Sequence, residues 1–186
     1  MRTGRSRHWT SCLVVVVVAA LAGCADPPET TSAPATRPAS DDRPPTEAEQ
    51  AAERAALAAY AGYLEASREA SRDSDPRHPK LTRFLGDPLL TRVRVAIDDA
   101  RRHGAVRTGT LTSQPSVTSV SLDGDPPTVE IQDCLDATGY RLVYRKDNRV
   151  VPGSAGTRHL ATATATRYPD GRWLINSGAA HEDQPC

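Results

Sequence analysis

Residues 158–178 read RHLATATATRYPDGRWLINSG. Small apolar and β-branched polar side chains alternate as far as Arg167, and Pro169-Asp170-Gly171 then supplies turn chemistry before an extended pattern resumes at Trp173. This is the signature of a β-hairpin. A period of two places Leu160, Thr162, Thr164 and Thr166 on one face of the first strand and Ala161, Ala163 and Ala165 on the other. Trp173 and Ile175 share a face of its partner. Upstream the same period runs back to Gly104 through VRTGTLTS, SVTSVSLDG, TVEIQDCLDA and YRLVYRKD, broken at Pro115 and at residues 124–127, GDPP.

Before Gly104 the periodicity is helical. TEAE at residues 46–49 is a capping box, in which the Thr46 hydroxyl takes the Glu49 amide and the Glu49 side chain reaches back. The following residues set Ala56, Leu57, Tyr60, Tyr63 and Leu64 on one face, and the helix is expected to fade between Ser71 and Pro76. Leu81, Phe84 and Leu85 before Gly86 predict a short helical piece with a glycine stop. A third helix is expected from Asp87 as N-cap and Pro88 at its first position, with Val93, Ala96, Ile97 and Ala100 as buried stripe and Gly104 as terminator. Helices followed by strands predict an α+β domain, with helices on one face of an antiparallel sheet. Residues 46–186 are about one domain's length. Aromatic residues are only 4% of the chain, so its core must rest on Leu, Val, Ile and Ala.

This order resembles the NTF2-like fold, a cone of helices against a strongly curved sheet. More narrowly, DCLDATGYRLVYRKD, TATATRYPDGRWLI and a terminal cysteine, preceded by a Pro/Thr-rich tract, look like secreted lipoproteins of high-GC actinobacteria. The resemblance implies fold and location and carries no catalytic residue.

The N-terminus supports the same location. Arg2, Arg5 and Arg7 precede a mainly apolar run, residues 11–23, which is shorter than the roughly 20 apolar residues needed to span a bilayer. A positive flank, a short apolar core and small residues at its end describe an export signal. ALA at residues 20–22 fits ordinary signal cleavage, whereas LAGC at residues 21–24 closely resembles the lipobox of bacterial lipoproteins. That motif implies lipid transfer to the Cys24 sulfur and cleavage before it. Cysteine parity separates the two readings. Of Cys12, Cys24, Cys134 and Cys186, ordinary cleavage leaves three, one of them unpaired. Lipidation consumes Cys24 and leaves Cys134 and Cys186 as an even pair for one disulfide. The expected organisation is a signal peptide over residues 1–23, a lipidated cysteine with a disordered Pro/Thr-rich linker over 24–45, and the α+β domain over 46–186. At about 3 Å per residue that linker reaches up to ~60 Å from the anchor. Two acyl chains suffice for stable membrane anchoring.

Charge narrows the partners. The whole chain carries 23 Lys+Arg and 23 Asp+Glu; loss of the first 23 residues leaves 20 against 23, a net −3. Such a surface does not argue for nucleic acid. The basic cluster Arg92, Arg94, Arg101, Arg102, His103 and Arg107 is interrupted by Asp98 and Asp99 and reads as a solvated helix face. A Cys134–Cys186 bond would close a loop of about 50 residues, which the chain-entropy model values at roughly 4 kcal/mol. It would pin the closing AAHEDQPC, which has no periodicity of its own. Neither cysteine has CxxC or Cys/His spacing, so no metal site is expected.

Asp133, Asp136 and His159 are the grouping that resembles acid/base equipment, since carboxylates and imidazole buried in a pocket can move protons. On a regular strand Asp133 and Asp136 differ in parity and cannot both face inward, which makes Asp136 a turn residue. Tyr60 and Tyr63 read as core or pocket lining. There is no Walker loop, GxGxxG, HExxH or GxSxG, and no cofactor is expected.

Three classes of function remain: a non-catalytic envelope lipoprotein that binds a partner protein or apolar small ligand, an NTF2-like enzyme acting on a small molecule in the cone, and an accessory subunit of an envelope transport or transfer complex. The first is the expectation, anchored at the extracytoplasmic face of the cell membrane. Replacing Cys24 by Ser is expected to release the protein from the membrane fraction, and the mature N-terminus of the wild type is expected to carry a lipid-sized mass increment. Wild-type protein without lipid and cut after Ala22 refutes the anchor.

Overall fold

In a computed structural model, which describes residues 43–186, Thr46 opens helix α1 (Glu47–Asp73) through the expected capping box. Thr46 Oγ1 accepts from the Glu49 amide (3.2 Å), and the Glu49 carboxylate accepts from the Thr46 amide (2.6 Å). These bonds hold the Glu49 carboxyl below its usual range. The helix ends at Ser74 in a left-handed conformation, inside the expected interval. The expected signal peptide, Cys24 and most of the expected linker lie outside the described residues.

The buried stripe of α1 is built mainly from alanine: Ala52, Ala56, Ala59, Ala66 and Ala70, with Tyr60 among them. Leu57, Tyr63 and Leu64, expected at its centre, are only partly buried along its flanks. Small side chains bring the helix axis close to whatever it packs on, so the bulky residues fill the margins. Gly62 serves the same purpose, because a Cβ there would meet the Phe84 ring.

Helix α2 (Leu81–Phe84) is one turn, and it delivers the fully buried Leu81 and Leu85 to the core. Gly86 N then donates to Ile175 O (2.9 Å), which ties this segment to the sheet. Helix α3 (Leu89–Arg102) starts one residue later than expected, with Pro88 at the cap position and Asp87 Oδ1 accepting from Thr91 N and Oγ1 (3.2 and 2.6 Å). Its buried residues are Leu89, Leu90 and Ile97. Ala96, expected in the buried stripe, is exposed. The stripe lies toward the leucines because they, and not Ala96, have the apolar area worth removing from water.

Six strands follow: β1 (Ala105–Thr108), β2 (Pro115–Ser121), β3 (Thr128–Asp136), β4 (Arg141–Tyr144), β5 (Arg158–Arg167) and β6 (Trp173–His181). They form two sheets, a four-stranded one in the order β2-β3-β5-β6 and a two-stranded ribbon of β1 with β4. All these pairings are antiparallel, and the domain is α+β. Gly109, at φ 107°, ends β1 earlier than the expected VRTGTLTS strand. With β4 paired to β1, the chain between β3 and β5 loops out of the main sheet and leaves those two strands as direct neighbours. The β5–β6 hairpin turns at Pro169-Asp170-Gly171 as expected, with Gly171 at φ 83°.

Ala161, Ala163 and Ala165 of β5 face the helices beside Val129, Ile131 and Asp133 of β3. The opposite face is polar, and there Thr164 Oγ1 donates to Glu130 Oε2 (3.0 Å). Asn176 is an extra residue in β6, since Thr164 pairs with Ser177 but Ala165 with Ile175. Strand β5 itself stays regular, and Thr166, on the face opposite Ala165, is buried where it pairs with the buried Leu174.

Cys134 and Cys186 are bonded, with their Cα atoms 5.8 Å apart. The C-terminal stretch does not depend on this bond alone. Strand β6 runs to His181, and Leu160 N donates to Gln184 O (2.8 Å), so the free backbone donor of β5 captures the tail.

Asp133 ties the layers together. It is 1% exposed, and its carboxylate accepts from Tyr60 Oη (3.0 Å), Ser113 Oγ (2.7 Å) and Gln114 N (2.6 Å). Burial and the facing carboxylate push the Tyr60 hydroxyl far above the usual phenol range. Asp133→Ala leaves three donors without their acceptor and is expected to cost about 3–5 kcal/mol, against ~2 kcal/mol for Tyr60→Phe, in equilibrium urea unfolding. A loss below 1 kcal/mol for Asp133→Ala refutes this structural role.

Candidate functional site

Past the Tyr60–Asp133 bond the core gives way to a cavity of about 550 Å³. That volume lies within the range of small-molecule sites, roughly 300–1,000 Å³. Helix α1 contributes Tyr63, Leu64, Ser67 and Ser71, which recur at helical spacing along one side. Val93 and Ile97 come from α3, and Leu135 with His159 from adjacent positions of β3 and β5. The ribbon closes the remaining side with Arg107 and Leu142, next to Tyr140. The exposed lining residues Ala96, Asp99, Ala180 and Glu182 mark where the cavity meets solvent.

Two polar atoms in this lining are buried without a hydrogen-bond partner: His159 Nε2 and Ser67 Oγ. His159 is 4% exposed, and its Nδ1 lies 3.1 Å from the Thr157 carbonyl oxygen and 3.1 Å from Thr157 Oγ1. The carbonyl contact is a hydrogen bond when the ring proton sits on Nδ1, the tautomer in which Nε2 is an acceptor. Burial raises the Tyr63 and Tyr140 hydroxyls above the usual phenol range, so both remain protonated. The Arg107 guanidinium lies 5.4 Å from the centre of the Tyr140 ring.

The sequence grouped Asp133, Asp136 and His159, and the fold separates them. Asp133 faces the helices but is fully engaged with Tyr60, Ser113 and Gln114, and it does not line the cavity. Asp136 closes a turn: its Oδ1 accepts from Thr138 N (3.0 Å) and Thr138 Oγ1 (2.7 Å), which hold the carboxyl below its usual range. Only His159 reaches the cavity. Opposite strand parity is the reason, as Asp133 pairs across from Ala161 on the inner face and Asp136 from Arg158. Ser67 was not singled out from the sequence, although a hydroxyl four residues after Tyr63 on a buried-facing helix is the signal that marks it. Along α3, Arg101 and Arg102 are paired with Asp98, and Arg102 also with Asp99.

Among the described residues no group of three or more His, Cys, Asp or Glu is placed to hold a metal ion. No helix among them is long and apolar enough to cross a membrane. No protein-family model and no curated protein sequence matches the chain. Among solved structures, the chain is similar to the intermembrane-space region of the chloroplast protein ARC6. The TM-score is 0.52 at 19% identity, over 74% of this chain and 98% of that one. At that identity the likeness is one of fold.

An unpartnered buried hydroxyl destabilises the fold it sits in. Ser67→Ala is therefore expected to raise stability by about 1 kcal/mol, through loss of the orphan group and a better helix former. Thermal and urea unfolding read this directly. Destabilisation by the substitution means that the hydroxyl has a partner within the fold.

Proposed function

We propose that the protein is a lipid-anchored extracytoplasmic lipoprotein whose domain is an NTF2-like cone that binds a small apolar ligand without transforming it. The observation that carries this reading is the cavity itself, a mainly apolar hollow of small-molecule size between the helices and the sheet. The cone reading is supported by helices packed over an antiparallel sheet with the hollow between them. The anchor reading is supported by the lipobox at Cys24 and by the Cys134–Cys186 bond, which leaves Cys24 as the odd thiol once the signal is removed.

Binding is favoured over catalysis by what surrounds His159. No carboxylate is bonded to its ring, and Asp133, the inward-facing acid of the sequence grouping, is held by three other groups. A small ligand is favoured over a partner protein because the apolar surface lines a concave hollow and is not spread over an outer face.

The neutral apolar dye N-phenyl-1-naphthylamine tests the reading. It is expected to bind the purified chain at one saturable site with a rise in fluorescence. Ala96→Trp places a bulky ring on an exposed wall of the cavity and is expected to weaken binding at least tenfold while leaving the unfolding midpoint within a degree or two. Absence of saturable binding, or binding indifferent to Ala96→Trp, overturns the proposal.

A further inference from the structure

We infer that an open groove between α3 and the α1–α2 connection binds a phosphomonoester dianion, at a site separate from the cavity. The groove has a volume of about 510 Å³ and is lined by Pro76, Arg77, Arg94, Val95, Asp98 and Arg102, none of which lines the cavity. Arg94, Asp98 and Arg102 recur every four residues along α3, so they share one side of the helix over about 12 Å. Pro76 and Arg77 come from the segment that joins α1 to α2.

Ion pairing sorts the charges of this groove. Asp98 holds Arg101 (2.5 Å) with one oxygen and Arg102 (3.3 Å) with the other, so its charge is spent on neighbours of its own helix. Among the described residues neither Arg77 nor Arg94 has an acid within salt-bridge distance. The groove therefore keeps two uncompensated positive charges. Guanidinium forks match carboxylate and phosphate oxygens alike, and charge and shape choose between the two. A phosphomonoester above its second pKa carries two negative charges and three acceptor oxygens that point in different directions. A carboxylate carries one charge and presents two oxygens in one plane. Cations arriving from two separate segments suit the phosphate. Beside them Pro76 and Val95, which is 58% exposed, offer an apolar margin to the organic part of the ester. That part belongs either to a small soluble ester or to a lipid with a phosphomonoester headgroup.

The test titrates the full-length chain carrying Cys24→Ser at about pH 8, where the ester is dianionic, and at fixed ionic strength. The probes are methyl phosphate, methyl sulfate and acetate, and the readout is the amide NMR shifts of Arg77, Arg94, Val95 and Asp98. Methyl phosphate is expected to shift these amides saturably and to bind at least fivefold tighter than the other two. Arg77→Gln and Arg94→Gln are each expected to weaken it at least fivefold, whereas Arg54→Gln, an exposed change near the opposite end of α1, leaves it unchanged. Should Arg94→Gln not fold, the exposed Arg77 still decides the matter. Glycerol 1-phosphate and monomeric dihexanoyl phosphatidic acid, read at the same amides, separate the two sources. Tighter binding of the lipid that is lost in Val95→Ser assigns a headgroup, and equal binding of both assigns a soluble ester. Shifts that do not saturate, equal affinity for the three small anions, or binding indifferent to Arg77→Gln overturns the inference.

Discussion

The buried carboxylate of Asp133 is the constraint on which the arrangement of this domain depends. A carboxylate taken out of water must find donors, and no single neighbouring strand can supply them all. Asp133 draws them from α1 through Tyr60 and from the segment before β2 through Ser113 and the Gln114 amide. Helix α1 is thereby fixed across the sheet at one level. Before that point its alanines lie close to the sheet in a filled core with Val129 and Ile131. After it, Tyr63, Leu64, Ser67 and Ser71 line the cavity together with Leu135 and Ala137, which follow Asp133 in the chain, while Ala66 and Ala70 stay in the core.

Asp133 and His159 face the helices from neighbouring strands, both almost wholly buried, yet their polar atoms are treated differently. The carboxylate is saturated with donors, whereas the imidazole is anchored at one nitrogen and left open at the other. A satisfied polar network stabilises and specifies, whereas an unsatisfied buried atom costs free energy. The covalent link at Cys134–Cys186 and the capture of the tail by Leu160 offset that cost at the same end of the sheet. The grouping suggested by Asp133, Asp136 and His159 dissolves on this distinction, and of the three only His159 lines the cavity.

The helix–strand order, the capping box at Thr46, the glycine turn at Gly171 and the alternation of alanine and threonine in β5 were all legible in the chain, because each depends on residues within a few positions of one another. So was the Cys134–Cys186 bond, from counting. Less was legible wherever a residue's surroundings come from distant segments. Leu57 and Leu64 look like the centre of the α1 face by hydrophobicity, but the close approach that the alanines allow puts the leucines at its edge. Ala96 falls in the apolar stripe by spacing and is exposed at the cavity, because α3 turns its leucines inward.

By itself the sequence determined the α+β class, the positions of most elements and the pairing of the two domain cysteines, since local backbone preference and side-chain period are written residue by residue. Tertiary structure alone decided that β1 and β4 leave the main sheet, that Asp133 is spent on structure while His159 is not, and that Ser67 stands in the same cavity as His159. Those outcomes turn on which donors and which apolar surfaces arrive from elsewhere in the chain, and no local pattern encodes an absence of partners.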